Sequence, residues 1–311
     1  MLLVNSGGEA AVDEWSAHFQ TFAPHLSVHW WDDPAVDPDR VDYALVWQPA
    51  PGRLAALPNL RLVLSAGAGV DHITADPAWP RAVPLIRSIP PETAQRMGEY
   101  VALAALALLR DFKRIARQQA AREWVFFDVA RSAPEVCVGI LGLGTLGLQA
   151  AQMLQALGFR TIGWSRTAKT VDGMLNYAGP EALDAFLAHC DLLVCLLPAT
   201  PQTERLLNAE RLARLPHGAA LIHVGRGAQL DTGALIAALD SGRLSGAFID
   251  VFDEEPLPAD HPAWSHPGIT ISPHIAATAT RRMRAQFFAR QIAAFEQGEP
   301  VEGRFDPERG Y

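Results

Sequence analysis

Three polar side chains in the second half of the chain, Arg226, Glu255 and His274, each follow a predicted strand. Open α/β sheets bind ligands at the carboxyl ends of their strands. Histidine is the side chain that most readily carries a transferable proton near neutral pH. A carboxylate on its second ring nitrogen would orient the ring, and the planar fork of arginine matches a carboxylate. The pattern therefore predicts proton transfer to a substrate that is held by its own carboxylate.

A glycine-rich segment, GLGTLG, lies upstream of these residues, between a predicted strand and a predicted helix. In that context the spacing GxGxxG is a specific signal for dinucleotide binding. Gly142 permits the tight turn, Gly144 lets the backbone approach a pyrophosphate, and Gly147 allows helix and strand to lie close together. Thr145 and Leu146 open the helix, whose N-terminal N–H groups attract the pyrophosphate.

The end of the next predicted strand lacks a residue that an NAD site needs. An acidic side chain at this point would bind the ribose 2′-hydroxyl. This chain has Ser165, Arg166 and Thr167 instead, with Lys169 close by. A hydroxyl and a guanidinium can bind a 2′-phosphate through charge-assisted hydrogen bonds, which a carboxylate would repel. We therefore predict NADPH as the preferred cofactor over NADH, with Arg166 as the main determinant.

Short apolar runs alternate with helical patterns along the chain, which is typical of βα units and parallel sheets. From residue 136 onward the alternation predicts six strands of a doubly wound sheet, at 136–141, 160–164, 191–197, 219–224, 246–251 and 269–272. Strand ends of this series place Leu197, Pro198 and Val224 on the cofactor side. Smaller units of the same kind precede it, with strands predicted at 1–5, 43–47 and 60–65 and helices at 9–22 and 92–110. We predict a dinucleotide-binding domain at 98–275 and a substrate domain formed by 1–97 and 276–311.

The composition argues against several classes of protein. The chain has 311 residues with 26 basic and 34 acidic side chains, and its formal net charge of −8 is unlike that of a nucleic-acid-binding protein. We expect neither a signal peptide nor an apolar segment of about 20 residues that would cross a membrane. Cys137, Cys190 and Cys195 form no CxxC pair, so we expect reduced thiols, a cytoplasmic location and no metal site.

These motifs together resemble the D-2-hydroxyacid dehydrogenase family, and more narrowly its bacterial glyoxylate/hydroxypyruvate reductases of the A type. The resemblance is carried by YALVW at 43–47, GAGVD at 67–71, GILGLGTLG at 139–147, WSRT at 164–167, residues 247–258 and the closing Arg309-Gly310-Tyr311. It implies a doubly wound, parallel-sheet dinucleotide-binding domain inserted into a smaller, flavodoxin-like α/β substrate domain. It also implies NADPH-dependent reduction of small 2-oxo acids, glyoxylate to glycolate and hydroxypyruvate to D-glycerate. The family's catalytic Arg, Glu and His fall on Arg226, Glu255 and His274.

Further site residues follow from the same resemblance. Ala68 and Gly69, in a loop of small residues, are expected to offer backbone N–H groups to the substrate carboxylate. Trp47 either walls the substrate pocket or is an ordinary core tryptophan. Asp250 corresponds to a residue that holds the nicotinamide carboxamide, and a buried charge without such a partner would be costly. Trp124 corresponds to a position that reaches the active site of a neighbouring subunit, so we expect a homodimer.

Two alternatives stay open from the sequence. The chain could be another member of the superfamily, such as a phosphoglycerate, phosphonate or formate dehydrogenase. It could also be a dinucleotide-sensing binding module, like the corepressors that share this fold and can retain the three catalytic residue types. Residue spacing does not determine pocket volume, so the preferred 2-oxo acid is left open as well.

Overall fold

The computed structural model describes residues 1–307, so the predicted closing motif Arg309-Gly310-Tyr311 lies outside the described residues. The chain divides into two compact units. The smaller unit comprises Met1–Thr93 and the chain from Thr278 onward, and the larger one comprises Ala94–Ala277. The domain boundaries expected from the sequence, after residues 97 and 275, lie close to these divisions.

The elements follow one another as alternating strands and helices. The strands are β1 Leu2–Asn5, β2 Val28–Trp30, β3 Tyr43–Val46, β4 Leu62–Ser65, β5 Leu85–Arg87, β6 Cys137–Leu141, β7 Arg160–Ser165, β8 Leu175–Ala178, β9 Leu192–Cys195, β10 Ala219–His223, β11 Leu244–Ile249 and β12 Ile269–Ile271. The α-helices are α1 Val12–Phe22, α2 Asp71–Thr74, α3 Pro91–Leu109, α4 Phe112–Ala121, α5 Thr145–Ala156, α6 Leu183–Leu187, α7 Ala209–Leu212, α8 Thr232–Asp240 and α9 Arg281–Glu296. Short 3-10 helices occupy Glu9–Ala11, Pro38–Arg40, Ala133–Glu135, Pro180–Ala182, Gly227–Gln229 and Pro262–Trp264.

The smaller unit is built on a five-stranded sheet in the order β2-β1-β3-β4-β5, and every neighbouring pair is parallel. This is the flavodoxin-like order of a doubly wound sheet. Trp15 and Phe19 stand four residues apart on α1 and are fully buried with Phe287 and Phe288 of α9. Burial of each such side chain contributes about 1.5–3 kcal/mol. The C-terminal helix is thus part of the same core as the N-terminal strands.

The larger unit contains a seven-stranded sheet in the order β12-β11-β10-β9-β6-β7-β8, again with parallel pairs throughout. Read from the other edge, this is the order of a dinucleotide-binding sheet with one strand added. β9 and β10 are buried along their whole length, as expected for strands that are covered on both faces. The order reverses between β6 and β9, and the carboxyl ends at that point are where such sheets bind ligands.

The structure confirms the predicted α/β class and the alternating parallel order, and it corrects several elements. Three short strands, β2, β5 and β8, were not predicted, because they lack the long apolar run of a buried strand. Residues of α4 were expected to be a loop; they form a helix of which no side chain is buried, and its large apolar side chains Phe112 and Ile115 are exposed. Within residues 1–307, none of the helices has the length and apolar character needed to span a membrane.

Candidate active site

The glycine loop between β6 and α5 adopts the strained turn that its sequence predicts. Gly142 has φ +115°, a backbone conformation that side-chain-bearing residues rarely adopt. A Cβ atom at Gly147 would lie 1.9 Å from the carbonyl oxygen of Gly142, so only glycine lets α5 approach the loop this closely. No atom lies within 4 Å of the position of a Cβ at Gly144. The loop therefore presents open backbone in front of the N-terminus of α5, which fits a pyrophosphate.

The residues after β7 include a lysine that contacts the glycine loop. Ser165 is buried, and its hydroxyl donates to the carbonyl oxygen of Thr167 at 2.8 Å. Arg166 and Thr167 are exposed. The ammonium of Lys169 donates to the carbonyl oxygen of Leu143, in the middle of the glycine loop, at 2.7 Å. The region where an NAD site would carry an acid is therefore positively charged.

His274 and Glu255 form a hydrogen-bonded pair, with 2.8 Å between Nδ1 of the histidine and Oε2 of the glutamate. The other carboxylate oxygen accepts from the backbone N–H of Phe252 at 2.9 Å. Partial burial acts to raise the pKa of Glu255. The hydrogen bonds from His274 and Phe252, with the positive charge of Arg226, outweigh it and hold that pKa below its usual value. The carboxylate is ionised and orients the imidazole ring.

The loop of Arg226 lies directly against the loop that carries Glu255. A Cβ atom at Gly227 would lie 1.9 Å from the carbonyl carbon of Phe252, so only glycine allows this approach. Arg226 also contributes to the lowered pKa of Glu255, which requires the two charges to be near each other. The structure therefore brings together the three predicted catalytic residues, Arg226, Glu255 and His274, at the ends of β10, β11 and β12.

Two side chains that the sequence analysis missed hold the backbone of Arg226. Nε2 of His223 donates to its carbonyl oxygen at 2.9 Å, and Oε1 of Gln229 accepts from its N–H at 2.9 Å. His223 is fully buried, and this burial lowers its pKa to about 4, so the ring is neutral. His223 ends an apolar strand and resembles a core residue in the sequence. Gln229 lies three residues after Arg226, a spacing that by itself indicates no function.

Asp250 is buried at the end of β11, but its carboxylate already has donors within the chain. It accepts from the hydroxyl of Ser272 and from the backbone N–H groups of Ile275 and Ala276, the latter two at 2.9 and 3.0 Å. From the sequence, buried Asp250 was expected to need the nicotinamide carboxamide as a partner. Its donors within the chain show that its burial does not by itself require one. What the carboxylate does in this structure is anchor the segment that follows His274.

A tyrosine on α3 extends this anchor. The hydroxyl of Tyr100 lies 2.6 Å from that of Ser272, and burial raises the pKa of Tyr100 to about 12. His274 itself has φ +55°, and its backbone N–H donates to the carbonyl oxygen of Asp250 at 2.8 Å. A chain of hydrogen bonds thus fixes an unusual backbone conformation at the histidine.

The remaining cofactor-side predictions lie just beyond the strand ends. β9 stops at Cys195, two residues earlier than predicted, so Leu197 and Pro198 belong to the loop after it. Their carbonyl oxygens accept from Nε2 of Gln229 at 3.0 and 2.8 Å. Val224 is buried directly after β10, and its N–H donates to the carbonyl oxygen of Cys195 at 3.1 Å.

The predicted substrate residues Trp47, Ala68 and Gly69 belong to the smaller unit, where they form a cluster of their own. The ring of Trp47 lies 4.4 Å from that of His72, measured between centroids. A Cβ atom at Gly67 would lie 2.7 Å from the Trp47 ring, so the small-residue loop runs along the edge of the indole. Ala68 and Gly69 are partly exposed on this loop. Trp47 is half-buried and packs against the core of the smaller unit.

Trp124 is placed in a segment of the larger unit that follows α4 and has no regular secondary structure. Its side chain is fully exposed, and that of Phe126 is 83% exposed. The guanidinium of Arg114 lies 4.1 Å from the centre of the Phe127 ring, which holds the segment against α4.

Comparison with known proteins assigns the family. Residues 102–276, more than half of the chain, match the family model described as "D-isomer specific 2-hydroxyacid dehydrogenase, NAD binding domain". The chain belongs to this family. The family assignment predicted from the sequence motifs is therefore confirmed.

Solved structures of family members superpose on nearly the whole chain. A D-isomer specific 2-hydroxyacid dehydrogenase from Xanthobacter autotrophicus, in complex with NADPH and MES, is 41% identical; the match covers 100% of this chain and 99% of that one, with a TM-score of 0.93. An NADPH-dependent glyoxylate/hydroxypyruvate reductase from Sinorhizobium meliloti, in complex with NADP and sulfate, is 36% identical, with coverage of 100% and 99% and a TM-score of 0.91. A D-lactate dehydrogenase from Aquifex aeolicus, at 22% identity with coverage of 96% of each chain and a TM-score of 0.79, shares the fold.

Proposed function

We propose that this dehydrogenase-family member reduces small 2-oxo acids with NADPH, converting glyoxylate to glycolate and hydroxypyruvate to D-glycerate. The observation that carries the proposal is the pair His274–Glu255, joined at 2.8 Å, with the Arg226 loop lying against the Glu255 loop. An imidazole oriented by a carboxylate, with a guanidinium near that carboxylate, matches the needs of a carbonyl that accepts a proton while the substrate carboxylate is held. The relative from Sinorhizobium meliloti, which carries this activity in its name, supports the choice of substrates.

The roles of the three side chains follow from their contacts. Because Nδ1 of His274 faces the Glu255 carboxylate, Nε2 is the nitrogen that would give a proton to the substrate oxygen. Glu255 stabilises the protonated ring before the transfer and keeps its orientation. Arg226 would bind the substrate carboxylate through its fork and polarise the neighbouring carbonyl. The nicotinamide, when bound, supplies the hydride to the carbonyl carbon.

The glycine loop is proposed to hold the cofactor. Gly142 and Gly147 give the loop its shape, and the open backbone at Gly144, with the N–H groups of Thr145 and Leu146, would receive the pyrophosphate. The proposal rests on the backbone geometry that excludes a side chain at Gly142 and Gly147.

Cofactor preference is proposed to come from the cations after β7. Ser165, Arg166 and Thr167 would bind the 2′-phosphate, and Lys169, tied to the glycine loop at Leu143, adds a second positive charge. Leu197, Pro198, Val224 and Asp250 are proposed to border the remainder of the cofactor. Complexes of relatives with NADPH or NADP support this preference.

Residues of the smaller unit are also proposed to contact the substrate. Ala68 and Gly69 are partly exposed, and Gly67 of the same loop lies against the Trp47 ring, which suits an anion-binding turn with an aromatic wall. The Trp47→Ala variant is expected to raise KM for hydroxypyruvate more than it lowers kcat. An unchanged KM would contradict this role.

A substrate panel tests the proposed activity. Purified protein is mixed with glyoxylate, hydroxypyruvate, pyruvate or 3-phosphohydroxypyruvate and with either NADPH or NADH, and nicotinamide oxidation is followed by absorbance. We expect the largest kcat/KM for glyoxylate or hydroxypyruvate with NADPH. Absence of turnover on every acid would overturn the proposal and favour a dinucleotide-sensing module, and turnover confined to the phosphorylated acid would favour the phosphoglycerate type.

We propose a second copy of this chain as the partner of the exposed apolar segment. Trp124 and Phe126 lie in one groove with Ile115 of α4, and their exposed side chains together form an apolar surface. The expected homodimer of this family supports that choice. Light scattering is expected to give twice the mass of 33.7 kDa for the natural chain and a monomer for a Trp124→Glu, Phe126→Glu variant. A monomeric natural chain would contradict the proposal.

No nucleic acid or membrane is proposed as a partner, given the net charge of −8. A cytoplasmic location stays a prediction, supported by the free thiols of Cys137, Cys190 and Cys195. Fractionation of cells that produce a tagged chain is expected to place it with the cytoplasmic fraction.

A further inference from the structure

The carboxamide of Gln229 joins two loops of the candidate active site. The residue is 1% exposed. Oε1 accepts from the backbone N–H of Arg226 at 2.9 Å, and Nε2 donates to the carbonyl oxygens of Leu197 and Pro198 at 3.0 and 2.8 Å. Arg226 is the proposed substrate anchor, whereas Leu197 and Pro198 border the proposed cofactor site. One buried amide therefore ties the substrate side of the site to its cofactor side.

The Gln229 side chain connects the two segments at a point where backbone pairing between β9 and β10 has ended. The ladder between β9 and β10 pairs residues up to His223 and Cys195, and Val224 then donates to the carbonyl oxygen of Cys195 at 3.1 Å. Beyond these residues, both segments continue as loops. The side chain of Gln229 links these loops past the last rung, at the level where ligands bind.

Only an amide of this length satisfies all three contacts. A carboxamide offers an acceptor and two donors, while a carboxylate only accepts and an apolar chain does neither. The neighbouring backbone leaves room for it, because a Cβ atom at Gly225 would lie 2.3 Å from Oε1 of Gln229. The peptide carbonyl of Arg226 is held as well, since Nε2 of His223 donates to its oxygen at 2.9 Å.

We propose that Gln229 is a positioning residue, which sets the place of Arg226 relative to the loop of Leu197 and Pro198. It acts through Arg226 and does not itself touch the substrate. The inference rests on the proposed function, because it assigns the purpose of the bridge to that reaction. Its loss displaces the guanidinium from the substrate carboxylate, and a displacement of about 1 Å can cost about 10²-fold in rate.

The first test compares two buried glutamines. Gln229→Met removes the hydrogen bonds to Arg226, Leu197 and Pro198 at similar volume. Gln291→Met is the matched control, since Gln291 is 5% exposed in the smaller unit and its Oε1 accepts from the N–H of Glu302 at 2.7 Å. We expect kcat/KM for the 2-oxo acid to fall about 10²-fold in Gln229→Met and to stay near the natural value in Gln291→Met. Equal activity loss in the two variants, at similar melting temperatures, would overturn the proposal.

A double-mutant cycle separates positioning from a general loss of structure. If Gln229 acts through Arg226, Gln229→Met costs activity in the natural background but little in an Arg226→Ala background. A structural role would give the same factor in both backgrounds. Should Gln229→Met fail to fold, Gln229→Glu replaces it, because a carboxylate keeps the acceptor for Arg226 but cannot donate to Leu197 and Pro198.

Binding of oxalate, measured by calorimetry in the presence of NADP, keeps this test independent of turnover. If the natural chain reduces no 2-oxo acid, the proposed function fails. The positioning role still stands if oxalate binds and Gln229→Met weakens that binding about as much as Arg226→Ala does. Oxalate binding that Arg226→Ala weakens and Gln229→Met leaves unchanged would overturn the positioning role alone.

Discussion

The glycine loop and the catalytic loops lie at the carboxyl ends of the same sheet, yet they are built in different ways. The glycine loop is local: the contact that defines it joins Gly142 and Gly147, five residues apart. The catalytic loops depend on distant partners, such as His274 with Glu255 and Gln229 with Leu197. A cofactor-binding loop can therefore be predicted from one short sequence motif, whereas the arrangement of the catalytic residues depends on the assembled sheet.

The largest effect is expected where the catalytic loops meet the substrate. In the His274→Asn variant the proton donor is lost, while asparagine tolerates the φ of +55° at this position. We expect kcat to fall about 10²- to 10⁴-fold with little change in NADPH binding. Steady-state kinetics and fluorescence titration of NADPH measure the two quantities. The exposed His217→Asn is the control, and undiminished turnover in His274→Asn would remove the histidine from the mechanism.

A smaller effect is expected beside the glycine loop. Arg166→Asp replaces a proposed phosphate partner by a repelling charge. A hydrogen bond between charged groups is worth about 1.5–3 kcal/mol, so the ratio of kcat/KM with NADPH to that with NADH should fall about 10- to 100-fold. The exposed Arg81→Asp in the smaller unit makes the same charge change away from the site. A ratio that Arg166→Asp leaves unaltered would show that the preference is set elsewhere.

The local character of the glycine loop can be tested at two of its own positions. Gly147→Ala forces a methyl group against the Gly142 carbonyl oxygen and should lower the free energy of unfolding by about 1–3 kcal/mol. Gly144→Ala meets no atom within 4 Å and should leave stability unchanged while weakening NADPH binding. Chemical denaturation and titration distinguish the two. Equal destabilisation by both substitutions would contradict the separate roles of these glycines.

The smallest effect concerns the dependence of stability on pH in the catalytic loops. The pKa of His223 is about 4 in the folded chain because of burial, against 6.5 when exposed. As the pH falls below 6.5, this histidine is therefore protonated in the unfolded chain before it is protonated in the folded chain. The contribution of the neutral histidine to stability is complete above pH 6.5 and is lost as the pH falls towards 4. His223→Asn keeps a donor for Arg226 and should flatten the melting temperature over this window. His217→Asn, an exposed control, should retain the natural slope; so should His223→Asn if the histidine is not the cause.

The candidate site was predictable to the extent that its residues follow strands and carry characteristic chemistry. Arg226, Glu255 and His274 stand out because each follows an apolar run, and the ends of parallel strands meet at one edge. The glycine spacing likewise requires only a strand before it and a helix after it. His223 and Gln229 were missed because a buried histidine and a lone glutamine have no distinctive spacing. Asp250 was noticed, but its donors come from residues more than twenty positions away.

The sequence by itself determined the α/β class, the family, the glycine loop and the identity of the groups that could move a proton. These depend on local periodicity and on residue types at strand ends, which neighbouring residues already specify. Only the tertiary structure decided the short edge strands β2 and β8 and the side chains that hold Arg226 and the His274 segment in place. Their stability comes from hydrogen bonds between segments far apart in the chain, and no local pattern records such a bond.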